Sequence, residues 1–560
     1  MGSTELYSEL IDYVKREQPS KDKLAKKKQE LCKKHGVEEI PSDITIMLHS
    51  SASDREIIKK YLLTKPVRTQ SGVSVVAIMT KPIPCPHGKC TYCPGGLKSP
   101  YGDVPQSYTG KEPSTMRGIR NDYESYHQVF TRLEQYVAIG HKPTKVELII
   151  MGGTFTAFPS DYQEDVVKYA FKAMNDFSTM FYDTLGQLKL DLYKEFFELP
   201  GDINDPERAK RIKAKLYELK GNCELEEEQT KNETSHMRCV GLTIETKPDW
   251  AFEKDADTML RFGCTRVELG VQSVYDDVLL KTHRGHTLAD TIKSIRILKD
   301  SGFKINAHYM PGSPLTDRAR DLAGLKQLFS DPNFRPDMLK LYPCMVAPGT
   351  ALYAEYKTGK FVPLSTEEAA SLIHEFQPFI PTYCRVQRVN RDVPTKQWTA
   401  GVGITNLKQY MDTKYGSNCR CIRCREPKGE KINTKSVQLL VQEYEASGGK
   451  EYFISVEDVE QDKILGFCRL RFPGSIVRPE VTSTSAFIRE LHVYGVEVPL
   501  GEEGEVQHRG YGSQLVQKAE EIARAHGKNK MIVISGVGVR EYYRKKHGYE
   551  REGPYMVKGL

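Results

Sequence analysis

Cys85-Pro-His-Gly-Lys-Cys90-Thr-Tyr-Cys93-Pro-Gly-Gly96 sets three thiols at C-x4-C-x2-C spacing on a segment too rich in Pro and Gly for a core element. Directly before it, SVVAIMTKPIP (74–84) reads as a buried strand running into a proline-marked turn. Thiolates clustered on such a loop select zinc or an iron–sulfur cluster over hard cations. Three ligands leave one metal position open, and chemistry at a metal needs an open position. The rival reading is a structural zinc knuckle in which His87 supplies the fourth ligand.

Outward from the loop, residues 64–335 alternate strand and helix. VSVVAIM, KVELIIMGG, RCVGLTIE, TRVELGVQS, FKINAHYMPG and MLKLYP are short apolar runs, several ending in Gly, Pro or an acid. Between them lie helical stretches such as LADTIKSIRILKDSG, with Leu288, Ile292, Ile295 and Leu298 on one face and Gly302 as its stop. This α/β alternation implies a parallel sheet with crossover helices, as a full or partial barrel. Ligands of such sheets gather at the carboxyl ends of the strands. Polar groups sit at those ends here: Gly152-Gly153-Thr154, Glu245 to Asp249, Glu268, Gln272-Ser273 and His308 to Gly312. A charged, helical segment from about 160 to 236 interrupts the alternation and reads as an insertion without chemistry of its own.

The 560 residues are 39% hydrophobic and 28% charged, as in a soluble multidomain chain. No apolar run reaches membrane-spanning length, and the first residues lack the apolar centre of a signal peptide. Thirteen cysteines in tight clusters plus singles favour metal binding over disulfides, and the expected location is cytoplasmic. A net charge of +7 suggests an anionic partner. Residues 1–65 form a basic helical arm, with Lys15, Arg16, Lys21 and the run Lys26 to Lys28. It reads either as a solvated helix face or as a grip on phosphates.

A second cluster, Cys419-Arg-Cys421-Ile-Arg-Cys424, falls in a linker over 376–434 and reads as a structural zinc between two domains. A second iron–sulfur centre and plain thiols are the alternatives, and Cys384, Cys344 and His374 are the candidate fourth ligands. Arg420, Arg423 and Arg425, with RVQRVNRDVP upstream, read as contacts to RNA phosphates or as ordinary surface arginines.

From residue 435 to 560 the pattern changes to short strands: VQLLVQEYE, EYFISVED, ILGFCRLRFP and AFIRELHVYG. Then come the turn Gln507-His-Arg-Gly510-Tyr-Gly512, a helix from Ser513, the strand KMIVISGVG and the helix VREYYRKKHGYE. A glycine turn opening a helix presents free N–H groups to a pyrophosphate. The bland alternative is a tight turn capped by Ser513. No Walker-type phosphate loop appears.

The blocks LLTKPVRTQSGVSVVAIMTKP, QSYTGKEPSTMRGIRNDY, VELIIMGGTFTAFP, GLTIETKPDW, CTRVELGVQSVYDDV, THRGHT and RPDMLKLYP run in order around the cysteine loop. With the C-terminal IRELHVYG and GPYMVK, they resemble the Elongator catalytic-subunit family. The resemblance implies a radical-SAM partial TIM-like barrel over 66–375 and a GNAT acetyltransferase domain after the cysteine-rich linker. The commoner radical-SAM spacing is C-x3-C-x2-C, so the extra residue between Cys85 and Cys90 is a departure. By resemblance, Cys85, Cys90 and Cys93 hold a 4Fe–4S cluster whose free iron binds S-adenosylmethionine (SAM), with the aromatic Tyr92 beside them. Gly152 and Gly153 meet the methionine end of SAM, and Glu245, Gln272 and the His308–Pro311 strand end line its pocket. Gln507, Gly510 and Gly512 hold acetyl-CoA, with Tyr542 and Tyr543 at the thioester. The implied activity installs a 5-carboxymethyl group on the wobble uridine of tRNA. A second copy or accessory subunits are the candidate protein partners, and no membrane is implied. Two rival readings are a GNAT lysine acetyltransferase with Glu490 as general base, and a non-catalytic RNA-binding scaffold.

Overall fold

The computed structural model describes residues 2–63, 72–201, 205–427, 430, 432–494 and 510–560. It divides into two compact units, residues 1–76, 125–146 and 168–239 in one and 77–124, 147–167 and 240–560 in the other.

The first unit is chiefly helical. The basic arm is four helices, Gly2–Glu17, Lys21–His35, Asp43–His49 and Ala52–Leu62, closed on a core that includes Leu6, Leu10, Leu24, Ile46 and Ile58. Much of its charge is matched within the bundle: Lys15 pairs with Asp54 (2.6 Å), Lys21 and Lys28 with Asp43 (2.5 Å each) and Lys34 with Glu9 (2.7 Å). The segment expected as an insertion is helical too, over Ser160–Phe181, Leu190–Phe196, Pro206–Lys220 and Leu225–Asn232. Helix Leu190–Phe196 is tied to the arm, where Lys194 donates to Ser50 O (2.8 Å), and to helix Ser125–Ala138, where Tyr193 donates to Glu134 O (2.9 Å).

The second unit is built on two sheets. The first contains β1 (Val73–Met79), with the small hairpin β2 (Gly96–Ser99) and β3 (Gly102–Val104) beside it, then β4 (Lys145–Met151), β5 (Arg238–Thr246), β6 (Cys264–Gln272), β7 (Lys304–Tyr309), β8 (Met338–Leu341) and β9 (Arg385–Val389). Its order is β1-β4-β5-β6-β7-β8-β9, with β5 to β9 parallel. The curled sheet is open, a half-barrel. Its middle strand β6 is buried along almost its whole length, as expected for a parallel strand covered on both faces. β9 lies beyond the six expected strands, in RVQRVNRDVP. That stretch is therefore a barrel strand and only secondarily a linker.

The second sheet contains β10 (Val437–Ala446), β11 (Gly449–Asp458), β12 (Lys463–Phe472), β13 (Ser485–Val493), β14 (Lys530–Val533), β15 (Glu550–Glu552) and β16 (Tyr555–Gly559), in the order β10-β11-β12-β13-β14-β16-β15. β10 to β13 are antiparallel and β14 joins β13 in parallel. Helix Tyr511–Ala525 packs Leu515, Ala519 and Ala523 onto this sheet with Ile454, Leu470 and Ile488.

A buried charge network joins the two sheets. Asp337, one residue before β8, accepts from both terminal nitrogens of Arg489 on β13 (2.6 and 3.0 Å) and from Ile305 N (2.9 Å). Arg471 on β12 bonds Glu451 on β11 (2.9 Å), and its guanidinium also grips Asp300 (2.9 Å). Asp337, Arg469, Arg471 and Arg489 are wholly buried. A β-bulge between β12 and β13, at Arg469/Leu470, leaves Arg489 unpaired in the ladder and aims its side chain into this network. Among the described residues, no helix is long and apolar enough to cross a membrane.

Candidate active site

β1 delivers the chain to the carboxyl end of the half-barrel, where Thr80 N bonds Met151 O (2.9 Å) and ties β1 to β4. The cysteine loop is then closed by two turns, Gly88 N to Cys85 O and Cys93 N to Cys90 O (3.0 Å each). Thr91 N on Thr282 O (3.1 Å) and Leu352 N on Thr91 O (2.9 Å) pin it from both sides. Cys90 and Cys93 are buried and Cys85 is half-buried.

Each sulfur has its own polar neighbours. Cys85 faces the Thr154 hydroxyl (3.6 Å), and Cys93 accepts from Ser107 N (3.2 Å) with the Gln106 amide at 3.3 Å. Cys90 meets His87 Nε2 (3.3 Å) and Arg284 Nη1 (3.8 Å). Burial, with the neighbouring Cys90, pushes the Cys93 thiol up to about 11. A metal reverses such a shift by binding the thiolate outright. Burial and the charges of Lys247 and Arg284 pull His87 down to about 4, so it stays neutral near pH 7.

Tyr92 packs behind the sulfurs with Met310 and Cys344. Gly152 and Gly153 hold φ of +135° and +112°, the region that favours glycine. A Cβ on Gly152 would fall 1.9 Å from Thr80 Oγ1, and one on Gly153 would stand 4.0 Å from Cys85 Sγ. The bare backbone of Gly153 thus forms one wall beside the first thiol. The Glu245 carboxylate accepts from Tyr108 (2.9 Å) and Gly152 N (3.4 Å), and burial raises its pKa. Gln272 ends β6 at a φ of +67°. Side-chain atoms of Tyr92 (Oη), Thr80 (Oγ1) and Gln272 (Oε1) are buried without a partner. Buried polar groups are normally satisfied. This open set, around three thiols and a glycine wall, fits a cluster with a polar ligand on it.

Further into the half-barrel, Glu268 accepts from His308 Nε2 and Lys340 Nζ (2.5 Å each) and from Asn306 (3.0 Å). Although burial opposes it, Lys340 and His308 hold the Glu268 carboxyl far below its ordinary range. Lys340, Arg284, Tyr108 and Gln106 escaped the reading of the sequence. The signals were a lysine amid the apolar MLKLYP and an arginine within THRGHT.

In the second sheet, β13 pairs with β14 only from Ser485 to Ile488, so its carboxyl half stands apart from β14. Gly510, at φ +80°, caps helix Tyr511–Ala525 without a side-chain bond, and the first N–H groups of such a helix are suited to an anion. A Cβ on Gly512 would lie 3.0 Å from the Tyr542 hydroxyl and 3.8 Å from Val493. Turn, opened strand and Tyr542 therefore converge. Tyr543 instead belongs to the core, against Tyr549 (5.8 Å between rings). Gln507 lies outside the described residues. Glu490 is bound to Arg469 (2.8 Å); although burial would raise it, Arg469 and Lys304 hold its carboxyl low. A carboxylate so engaged is a poor general base.

Cys419, Cys421 and Cys424 bring their sulfurs within 4.8 Å of one another, the only such group among the described residues. Cys421 and Cys424 stand 3.7 Å apart. Two thiolates on one tetrahedral zinc at about 2.3 Å would be separated by about 3.8 Å. Of the fourth-ligand candidates, Cys344 packs with Cys90 and Cys93, and His374 stacks on Tyr415 (5.1 Å). Cys384 remains beside this loop, its carbonyl accepting from Ile422 N (2.9 Å). All three arginines have structural partners: Arg420 pairs with Asp462 (2.7 Å), the buried Arg425 with Glu457 (2.7 Å), and Arg423 donates to Gln387 O (2.7 Å). Arg423 lines a cleft of about 810 Å³ with Arg388, Arg391, Lys408 and Cys424.

Comparison with known proteins follows the same layout. Residues 3–70 match the ELP3 N-terminal domain, 82–323 the Radical SAM superfamily, 336–415 the Radical_SAM C-terminal domain and 422–549 the Acetyltransferase (GNAT) family. A tRNA uridine(34) acetyltransferase of Methanocaldococcus jannaschii is 43% identical over 534 residues, covering 93% of this chain and 90% of that protein. Elongator complex protein 3 of Danio rerio is 39% identical, covering 96% and 93%. The solved archaeal Methanocaldococcus infernus Elp3 with an N-terminal deletion superposes with a TM-score of 0.71 at 38% identity, covering 88% of this chain and all of that one.

Proposed function

The chain belongs to the family of the tRNA uridine(34) acetyltransferases and Elongator complex protein 3, and we propose from that premise that it modifies the wobble uridine of tRNA with the acetyl group of acetyl-CoA. The observation that carries this reading is the pairing, in one compact unit, of an open three-thiol loop at a half-barrel mouth with a GNAT anion turn. Cys85, Cys90 and Cys93 hold the 4Fe–4S cluster, which with SAM supplies a 5′-deoxyadenosyl radical. Gly152 and Gly153 keep the wall beside Cys85 free of side chains, while Glu245, Gln272 and Tyr92 offer polar atoms to SAM. Gly510 and Gly512, with Gln507, bind the pyrophosphate of acetyl-CoA, and Tyr542 donates to the thioester carbonyl. The product is a 5-carboxymethyl group on uridine 34. The lysine acetyltransferase reading loses its base, because Glu490 is locked to Arg469.

Anaerobic reconstitution with SAM, acetyl-CoA and tRNA, followed by nucleoside mass spectrometry, tests the proposal; an unmodified uridine 34 would overturn it. In the same assay Tyr542→Phe is expected to slow product formation about 10²-fold, the scale of one lost oxyanion donor. Tyr543→Phe is expected to retain turnover within a few-fold, because its ring belongs to the core. Equal losses in both would remove the distinction. We also propose that Cys419, Cys421 and Cys424 hold a structural zinc between the domains. Elemental analysis should find zinc in the whole protein and its loss in Cys421→Ala.

A further inference from the structure

We infer that Arg284 tunes the electron affinity of the cluster, by placing a buried positive charge in direct contact with the Cys90 ligand. The inference rests on the cysteine loop holding an iron–sulfur cluster.

Arg284 sits in the loop Thr282–Thr287 after the short helix Asp276–Lys281, and its guanidinium is buried. Nη1 approaches Cys90 Sγ at 3.8 Å, Nη2 donates to Gly270 O (2.9 Å) and Nε is buried without a partner. Among the described residues no carboxylate stands within ion-pair distance of it, so the counter-charge of this cation is the thiolate set. The pocket is shaped for it. A Cβ on Gly270 would fall 2.2 Å from Nη2, so the glycine in β6 leaves room for the guanidinium where it now sits. The next residue, Gly285 at φ +80°, would drive a Cβ to 2.5 Å from His87 Cβ, so the second neighbour of Cys90 also depends on an absent side chain.

The hydrogen-bonding neighbours of the other sulfurs are neutral, the Thr154 hydroxyl on Cys85 and the Ser107 N–H and Gln106 amide on Cys93, while the charges of Arg284 and Lys247 reach Cys85 without such a contact. Reduction adds one negative charge to the cluster. A fixed buried cation stabilises the reduced state more than the oxidised one, and hydrogen bonds to cluster sulfurs act in the same direction. His87 contributes the weaker, neutral share of this effect at 3.3 Å.

The test is an EPR-monitored redox titration of the full-length, anaerobically reconstituted protein, with iron and sulfide measured in parallel. Arg284→Gln should keep the parental iron and sulfide content while its midpoint potential moves negative. At a fixed poise near the midpoint, the reduced-to-oxidised ratio should fall about tenfold, or about 59 mV for a one-electron couple. Arg284→Lys, whose compact charge stands back from Cys90, should shift less in the same direction. An intact cluster at parental potential in Arg284→Gln overturns the inference. If Arg284→Gln takes up no iron, Arg284→Lys and His87→Gln decide: negative shifts support the tuning role, and parental values in both overturn it. Absence of iron and sulfide from the parent protein would instead sink the radical-SAM reading itself.

Discussion

Cys90→Ala is expected to abolish 5′-deoxyadenosine formation from SAM under reducing, anaerobic conditions while leaving acetyl-CoA binding intact. On the proposed assignment the loop supplies three thiol ligands, and removing one of the few thiolates that hold such a cluster should prevent its assembly. The loss has a second component here, because Arg284 Nη1, which stands 3.8 Å from the Cys90 sulfur, would lose that partner and face a methyl group. A buried cation deprived of its counter-charge is strongly destabilising. Cys344→Ala is the informative control. Cys344 lies in the same packed group as Cys90, Tyr92 and Cys93, yet burial and the neighbouring Asp321 push its thiol up to about 12. If the loop is an open three-ligand site, Cys344→Ala keeps iron, sulfide and SAM cleavage. Were Cys344 a fourth ligand, both variants would fail together and the site would be a closed one. Acetyl-CoA binding should survive in each, since the helix capped by Gly510 and the helix carrying Tyr542 pack against the second sheet. 5′-Deoxyadenosine at parental levels in Cys90→Ala would remove the cluster from the mechanism.

The candidate ligands could be proposed from the sequence because metal-binding spacing is local: each cysteine group lies within a dozen residues, and clustered thiols favour soft metals. The half-barrel was legible for a similar reason, since parallel strands buried on both faces write continuous apolar runs. β9 escaped because Arg385-Val-Gln-Arg-Val389 has three polar residues in five, with no continuous apolar run to mark it, as befits a strand at the edge of the sheet. Arg284 and Lys340 escaped because their roles arise only when β6, β7 and β8 come side by side. The arginines of the second cysteine group, for which two readings stood open, illustrate what a sequence leaves undecided. Arg420 and Arg425 look like a phosphate grip in one dimension, but Asp462 and Glu457, some thirty to forty residues later, engage them. Charge signs are visible in a sequence; the pairing that neutralises them is not.

Asp337→Ala is expected to destabilise the protein by about 3–5 kcal/mol, the scale for removing one partner of a buried ion pair. The Asp337 carboxylate, on the half-barrel side, receives two nitrogens of Arg489 from the GNAT sheet, with Lys299 at 3.9 Å and Arg469 at 3.7 Å. Truncation would leave three cations facing the remaining acids Glu451 and Glu490, in a region from which water is excluded. Although burial would raise it, Arg489, Lys299 and Arg469 hold the Asp337 carboxyl well below its unfolded value, and Glu451 and Glu490 are lowered by the same kind of neighbours. Carboxyls with depressed folded values stabilise the protein fully above their unfolded pKa of about 4, and lose that contribution as pH falls toward the folded value. Wild type should therefore lose stability steeply below about pH 4, and Asp337→Ala should show a shallower acid limb from a lower plateau. Urea unfolding as a function of pH reads both quantities. Replacing the pair together, Asp337→Leu with Arg489→Met, should recover much of the loss, because apolar groups of similar size often match a buried ion pair in stability. Recovery in the double variant would show that the network serves to fix how the two sheets dock, whereas a single variant within about 1 kcal/mol of wild type would mean that the apolar contacts alone hold the acetyl-CoA module on the half-barrel.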